Sequence, residues 1–365
     1  MRAVVFYISG HGFGHASRQL EVIHAFAALR PDVAILVRTS VNPAMLARSL
    51  RVPYTLLEGP CDSGLQQRDS VTHDDAATAR ETLAFYATFD ARVTAEVTRL
   101  QPYPLAAIVG DIPPLAFAVA NALSCPSIAI ANFTWDWIYE WQPGLAERPD
   151  LLAQIRRAYG LATCALQLPF SHVFDMFRRV EPIPLVARHA VTPRHEIRTR
   201  LGIPLDRRVA LLSFGGYGLQ RLDVTSLDCL DAWTVVMTDR TATPAEAHPS
   251  VVFVAEERLR TEFRYEDLVG ASDVVVTKPG YGILAESVAN GAALLYTSRG
   301  RFREYDLMVE QMPRVLRCRF LDQDTLFAGH WQESLDALMA QPAPPETWAT
   351  NGAAVAAGRI ASFIS

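Results

Sequence analysis

At 365 residues the chain is too long for one ordinary α/β domain and long enough for two, each with its own core. Half of the residues are hydrophobic and 20% are charged, which excludes extended disorder, and a formal net charge of -5 excludes a general attraction to nucleic acid. The 5 cysteines (Cys61, Cys125, Cys164, Cys229, Cys318) are scattered and form no CxxC pair, so neither a disulfide framework nor a zinc site is expected, and a reducing cytoplasm fits.

The chain runs directly into an apolar strand that is interrupted at His11, too early for a signal peptide. Short runs of Val, Ile and Leu alternate with amphipathic stretches, the pattern of parallel strands joined by crossover helices. Strands are predicted near 3–8, 33–37, 54–57, 105–109 and 127–131, with helices at about 16–29, 42–50, 75–100 and 113–123. The apolar region 105–131 is broken by Asp111, Pro113, Pro114 and Pro126, so it predicts strand, helix, strand and no integral membrane segment. The proline-rich, charged stretch 178–208 predicts a linker. Beyond it the alternation resumes, with strands near 209–213, 234–237, 251–254, 273–276 and 293–296 and helices at about 265–271, 282–290 and 304–312. Two Rossmann-like, doubly wound α/β domains are expected, 1–188 and 189–345, with an Ala-rich tail helix inside 346–365 returning to the first.

Open parallel sheets carry their ligand loops beyond the carboxyl ends of the strands. Directly after the first strand comes SGHGFGHASR, residues 9–18, leading into a helix. Its glycines allow close approach of a ligand to the backbone, and the helix offers free N–H groups. The spacing is not GxGxxG and no acidic residue ends the second strand, so a dinucleotide is excluded. An imidazole at this strand end can take a proton from an acceptor hydroxyl; His15 is the first candidate base and His11 the second. The alternative is that both cap the helix or bond loop carbonyls.

Asp111 ends the fourth strand, where it can orient a histidine or cap the helix that follows. Asn132, Trp135 and Asp136, after the fifth strand, suit either an acceptor pocket or core packing. In the second half, Gly215 and Gly216 follow the first strand, and the segment 277–286 places Lys278, Gly280, Tyr281 and Gly282 at a helix N-terminus. These make an anion seat, with Glu286 one turn in, either accepting ribose hydroxyls or complementing the helix dipole. Arg299, Arg301, Arg303 and Glu304 can meet phosphate and sugar hydroxyls or form an ordinary charged loop.

Together these loops resemble the GT-B glycosyltransferases, most closely the glycosyltransferase-like N-terminal part of plant L-arabinokinases. The resemblance is carried in order by SGHGFGHASR, GDIPPLAFAVANAL, NFTWDWIYE, PIPLVARH with LGIP, SFGG, and ASDVVVTKPGYGILAESVANG through RFREY. More distantly, GFGHASR is similar to the loop of the peptidoglycan N-acetylglucosaminyltransferase, and Asp111 falls where plant glucosyltransferases keep the acid that partners their histidine.

The resemblance implies a GT-B fold and a hexosyl-type transferase in which His15 is the base and Asp111 its partner. It further implies that the segment with Gly280, Tyr281, Gly282 and Glu286 holds a donor's diphosphate and ribose and that Glu304 reaches its sugar; Gly14, Gly215, Gly216, Lys278 and Arg303 are the other donor-binding candidates. Inverting, metal-independent transfer from a UDP-sugar follows, with no cofactor beyond that substrate. It stops short of the arabinokinase's sugar-kinase part, so it implies no arabinose phosphorylation. Arg303-Glu304 stands near where plant glucosyltransferases keep a donor-reading acid–amide pair, so it implies no particular sugar. A nucleotide-sugar hydrolase or epimerase and a non-catalytic nucleotide-sugar-binding protein are the alternatives. The aromatic, basic segment 170–179 suits either peripheral membrane association or a packed helix with a solvated basic face.

Overall fold

The computed structural model describes residues 1–11, 13–67, 73–214, 222, 224–238, 250–300 and 302–364. The first half holds β1 (Ala3–Ile8), β2 (Ala34–Thr39), β3 (Thr55–Glu58), β4 (Leu105–Asp111), β5 (Ser127–Ala131), β6 (Cys164–Gln167) and β7 (Val180–Pro182). They form a 7-stranded sheet in the order β3-β2-β1-β4-β5-β6-β7. The second half holds β8 (Arg208–Ser213), β9 (Trp233–Met237), β10 (Val251–Phe253), β11 (Val274–Thr277), β12 (Ala293–Tyr296) and β13 (Cys318–Phe320), in the order β10-β9-β8-β11-β12-β13. Every pairing is parallel.

All six residues of β1 (AVVFYI) and all four of β11 (VVVT) are buried, because helices cover both faces of each sheet. The strand order reverses between β1 and β4 and again between β8 and β11. A crevice beyond the carboxyl ends is expected at each of these points. One continuous apolar core reaches from Ile8 and Val37 of the first sheet to Leu211 and Val275 of the second.

The C-terminal helix, Gly352–Ala361, lies against the first helix, Phe13–Leu29, and buries Ala356, Ala357 and Ile360 in that core. Its entry is tied to the chain after β7: Leu185 N–H donates to Ala349 O (3.0 Å) and Gly352 N–H to Leu185 O (2.9 Å). A Cβ on Gly352 would run into the carbonyl oxygen of Pro184 and lie 2.8 Å from that of Leu185, and backbone atoms cannot swing aside. Gly352→Ala is therefore expected to lower unfolding stability by about 1–3 kcal/mol, readable in urea melts; an unchanged midpoint would mean the tail is not packed this way.

Three expectations are corrected. The helix drawn over 75–100 is two, Asp75–Ala87 and Phe89–Leu100, parted where Thr88 turns its hydroxyl back onto Phe85 O (3.2 Å). The stretch 178–208 is not all linker, since it supplies β7 and the helix Arg194–Arg200. Segment 170–179 is no helix, and its Phe170, Phe174 and Phe177 are buried, which leaves no aromatic face for a membrane. Among the described residues no helix is long and apolar enough to cross a membrane.

Candidate functional site at the facing strand ends

The register of β1 on β4 sets Ile8 beside Asp111, so the loop leaving β1 starts next to that carboxylate. The first turn of the following helix then brings His15 Nδ1 to 2.9 Å from Asp111 Oδ1. Asp111 does not cap the next helix, whose N-cap residue is Pro113 and makes no side-chain cap bond. Ile112, just after it, holds φ at 85°, a costly value for a β-branched residue, and Tyr159 pins its carbonyl with a 2.8 Å hydrogen bond.

Sequence reasoning missed the residue that completes this cluster. Arg18, three positions after His15 and so on the same helical face, donates through Nε to Asp111 Oδ2 (2.6 Å) and through Nη2 to Oδ1 (2.5 Å). Its Nη1 donates to Asn132 Oδ1 (2.6 Å), and Asn132 Nδ2 donates to Glu304 Oε1 (2.6 Å). Arg299 Nη1 reaches Glu304 Oε2 at 3.2 Å. A buried chain of polar groups thus runs from the imidazole in the first half to the guanidinium in the second. Burial pushes the Asp111 carboxyl up, but the charge and hydrogen bonds of Arg18, with His15, outweigh it and hold it below the usual carboxylate range.

His11 is not the second base. Its Nδ1 accepts the Leu65 N–H (3.2 Å), and burial, reinforced by His15, Arg299 and His73, holds the ring's pKa well below the ordinary histidine value. The remaining expectations for the first half divide. Trp135 is fully buried, stacks on Tyr139 and donates its indole N–H to Asp62 (2.9 Å), so it is a wall behind His11. Asp136 is buried, with one carboxylate oxygen held by Arg156 (3.0 Å). Asn132 links Arg18 to Glu304.

In the second half Lys278 follows the end of β11 and the helix Tyr281–Asn290 opens after Gly280 without a side-chain cap. Arg299 lies over this turn: its Nη1 donates to Pro279 O (3.3 Å), its guanidinium sits 4.1 Å from the Phe302 ring centre, and its buried Nε has no partner among the described residues. Gly14 faces Gly282 across the cleft, where a Cβ on Gly282 would lie 3.4 Å from the Gly14 Cα. The Tyr281 ring lies under Arg18 (5.0 Å) and its hydroxyl accepts the Val186 N–H (3.0 Å).

Two donor candidates have protein partners of their own. Arg188, also unforeseen, binds the Glu286 carboxylate at 2.6 Å and Glu266 at 3.3 Å, with Glu286 and Glu266 both buried. Burial raises the Glu286 carboxyl despite that partner. Arg303 points away from the donor side. It lies 4.4 Å from the Trp137 ring centre and donates to Trp137 O (2.5 Å) and Glu140 (2.7 Å) in the first half. Gly215, Gly216 and Arg301 lie outside the described residues.

These contacts bring the halves together, leaving between them a narrow seam without room for a water molecule, lined by Ser17, Arg18, Val186, Ala187, Arg188, Gly282 and Glu286. Arg303→Ala removes a cation–π contact of about 0.5–2 kcal/mol and is expected to raise the radius of gyration in small-angle scattering; an unchanged radius would place the closing force elsewhere.

No family model matches the chain. A curated relative, the L-arabinokinase of Arabidopsis thaliana, is 28% identical over 341 residues, covering 91% of this chain, while the chain spans only 31% of the relative's length. Among solved structures, the glycosyltransferase of kitacinnamycin superposes with a TM-score of 0.68 at 17% identity, covering 100% of this chain and 99% of that one. UGT2 of Phytolacca americana gives 0.60 at 13% identity over 100% and 94% of the chains, and MurG of Acinetobacter baumannii 0.56 at 12% over 100% and 99%. The chain has the GT-B fold of these glycosyltransferases from end to end, and its sequence is similar to the plant arabinokinase.

Proposed function

We propose that the chain is an inverting, metal-independent glycosyltransferase that moves a hexosyl group from a nucleoside-diphosphate sugar, UDP-linked, to a hydroxyl acceptor. The observation that carries this reading is the buried His15–Asp111 pair at the β1–β4 strand ends, facing an uncapped helix N-terminus of the other half. In it, His15 Nε2 takes the acceptor's proton while Asp111 steadies the imidazolium. The acceptor oxygen bonds to the sugar's anomeric carbon as the bond to the diphosphate breaks, and the leaving diphosphate carries away the electron pair.

The N–H groups at Tyr281 and Gly282, with Lys278 and Arg299, stabilise that charge. Support for the anion comes from Arg299, a buried cation that among the described residues has only Glu304 to neutralise it and no partner for its Nε. Support for a UDP-sugar comes from the Phytolacca structure, solved with UDP-2fluoro-glucose and pterostilbene. The halves separate to admit the donor, since sites for such ligands need about 300–1,000 Å³. The free thiols of Cys61, Cys125, Cys164 and Cys318 suit a cytoplasmic enzyme.

Thermal-shift screening against UDP-, GDP- and dTDP-sugars, followed by assay of released nucleotide with and without hydroxyl acceptors, tests the proposal. Binding of one nucleotide class and acceptor-dependent release are expected. Release of free sugar regardless of acceptor points to a hydrolase, and binding without release to a non-catalytic protein.

A further inference from the structure

We propose that His11 is a fixed hydrogen-bond donor to the acceptor, forming with His15 a two-imidazole seat for a polyhydroxylated, sugar-like molecule. The seat rests on the glycosyl-transfer reading for which hydroxyl reacts, but its donor–acceptor pattern comes from the protein's own hydrogen bonds.

A backbone N–H only donates, so the bond from Leu65 to His11 Nδ1 requires a lone pair on that nitrogen. The ring's single proton therefore sits on Nε2. A charged ring would point an N–H at the Leu65 N–H, and the groups facing it, His15, His73 and Arg299, add no negative charge to favour protonation. His15 has the opposite pattern. In the proposed seat His15 gives its Nδ1 proton to ionised Asp111, which only accepts, instead of taking one from Arg18 Nη2, and so presents a lone pair at Nε2. Arg18 Nη2, 3.0 Å from that Nδ1, is a second donor converging on the same carboxylate oxygen.

The two rings stand with centres 6.4 Å apart, one offering a donor and the other an acceptor. Among the described residues, His11 Nε2 is buried and finds no partner, a site that a ligand oxygen satisfies. Aromatic rings wall the pair: Trp135 lies 5.5 Å from His11, Phe133 5.5 Å from His15, and Phe302 6.3 Å from His11. Apolar ring faces beside one neutral donor and one neutral acceptor match a sugar or cyclic polyol, with C–H edges for the rings and neighbouring hydroxyls for the imidazoles. A neutral donor on His11 favours an uncharged hydroxyl over a carboxylate.

The test is long-range proton–nitrogen NMR on the full chain with 15N-labelled histidine, assigning His11 and His15 by the signals lost in His11→Phe and His15→Gln. The expected result is an Nε2–H tautomer for His11 that stays neutral from pH 8 to about pH 5, where an ordinary histidine of pKa about 6.5 is charged, and an Nδ1–H tautomer for His15. Adding D-glucose or myo-inositol with UDP present is expected to move the His11 Nε2 signal. His11→Phe is expected to weaken polyol binding about tenfold, as loss of one hydrogen bond does, while His11→Gln, whose amide also donates, restores it. An Nδ1–H tautomer, charging near pH 6.5, or a signal unmoved by either polyol overturns the seat. Polyol shifts in a chain that binds no nucleotide-sugar support the seat and overturn the nucleotide-sugar reading instead.

Discussion

His15→Ala is expected to lower turnover of a nucleotide-sugar by about 10²–10⁴-fold, the contribution of a positioned general base, while leaving UDP binding nearly intact. The separation follows from the fold. His15 belongs to the first helix of one half, and the proposed diphosphate seat lies at the strand and helix termini around Lys278, Gly280 and Arg299 of the other. Removing the imidazole opens a small gap beside Phe133 but breaks no backbone tie. Rate assays paired with calorimetric titration of UDP distinguish the outcomes: unchanged turnover removes His15 from the mechanism, and parallel loss of UDP binding makes it a structural residue.

The second large effect is on stability. Asp111→Ala strands Arg18, 3% exposed, without the carboxylate that binds it twice, and a buried cation left alone typically costs about 3–5 kcal/mol. Asp111→Asn, which keeps the shape, is expected to cost less but to lose the charge that steadies an imidazolium. Replacing both partners, Arg18→Met with Asp111→Leu, is expected to recover much of the stability and none of the activity. Urea melts of the three variants measure this; a full-stability Asp111→Ala would mean that Arg18 finds another anion.

The sign of the pH dependence follows from the lowered Asp111 pKa. Its contribution is complete above the unfolded carboxyl's pKa of about 3.9 and is lost as pH falls through the lower folded value. Acid melts of Asp111→Asn are therefore expected to lack that increment of pH dependence.

Much of the fold was legible because buried parallel strands write themselves as uninterrupted apolar runs: β1, β5 and β12 fall where the sequence predicts them, residue for residue. The short strands escaped that logic. β7 is three residues with a Glu in the middle, and β13 is a three-residue, largely exposed strand with a central Arg, so neither has a run to read.

At the site, the His15–Asp111 pairing was legible from two strand ends that a doubly wound sheet sets side by side. Arg18 had a local signal, its three-residue offset from His15, but its meaning depended on which face of the helix Asp111 would meet. Glu286 had none. Its partner Arg188 lies 98 residues away in the stretch between the two sheets, and only the three-dimensional path of that stretch shows the carboxylate already taken. Arg303 went astray for the same reason, since its tryptophan and glutamate partners come from the opposite half.

The central claim is direct displacement at the anomeric carbon, driven by the imidazole of one half upon a sugar-phosphate held by the other. Proton NMR of the glycoside formed from the α-linked UDP-sugar chosen by thermal shift tests it most directly. The account predicts a β-configured product that vanishes with His15→Ala. An α-configured product, or a donor that stays bound and unconsumed, would contradict it.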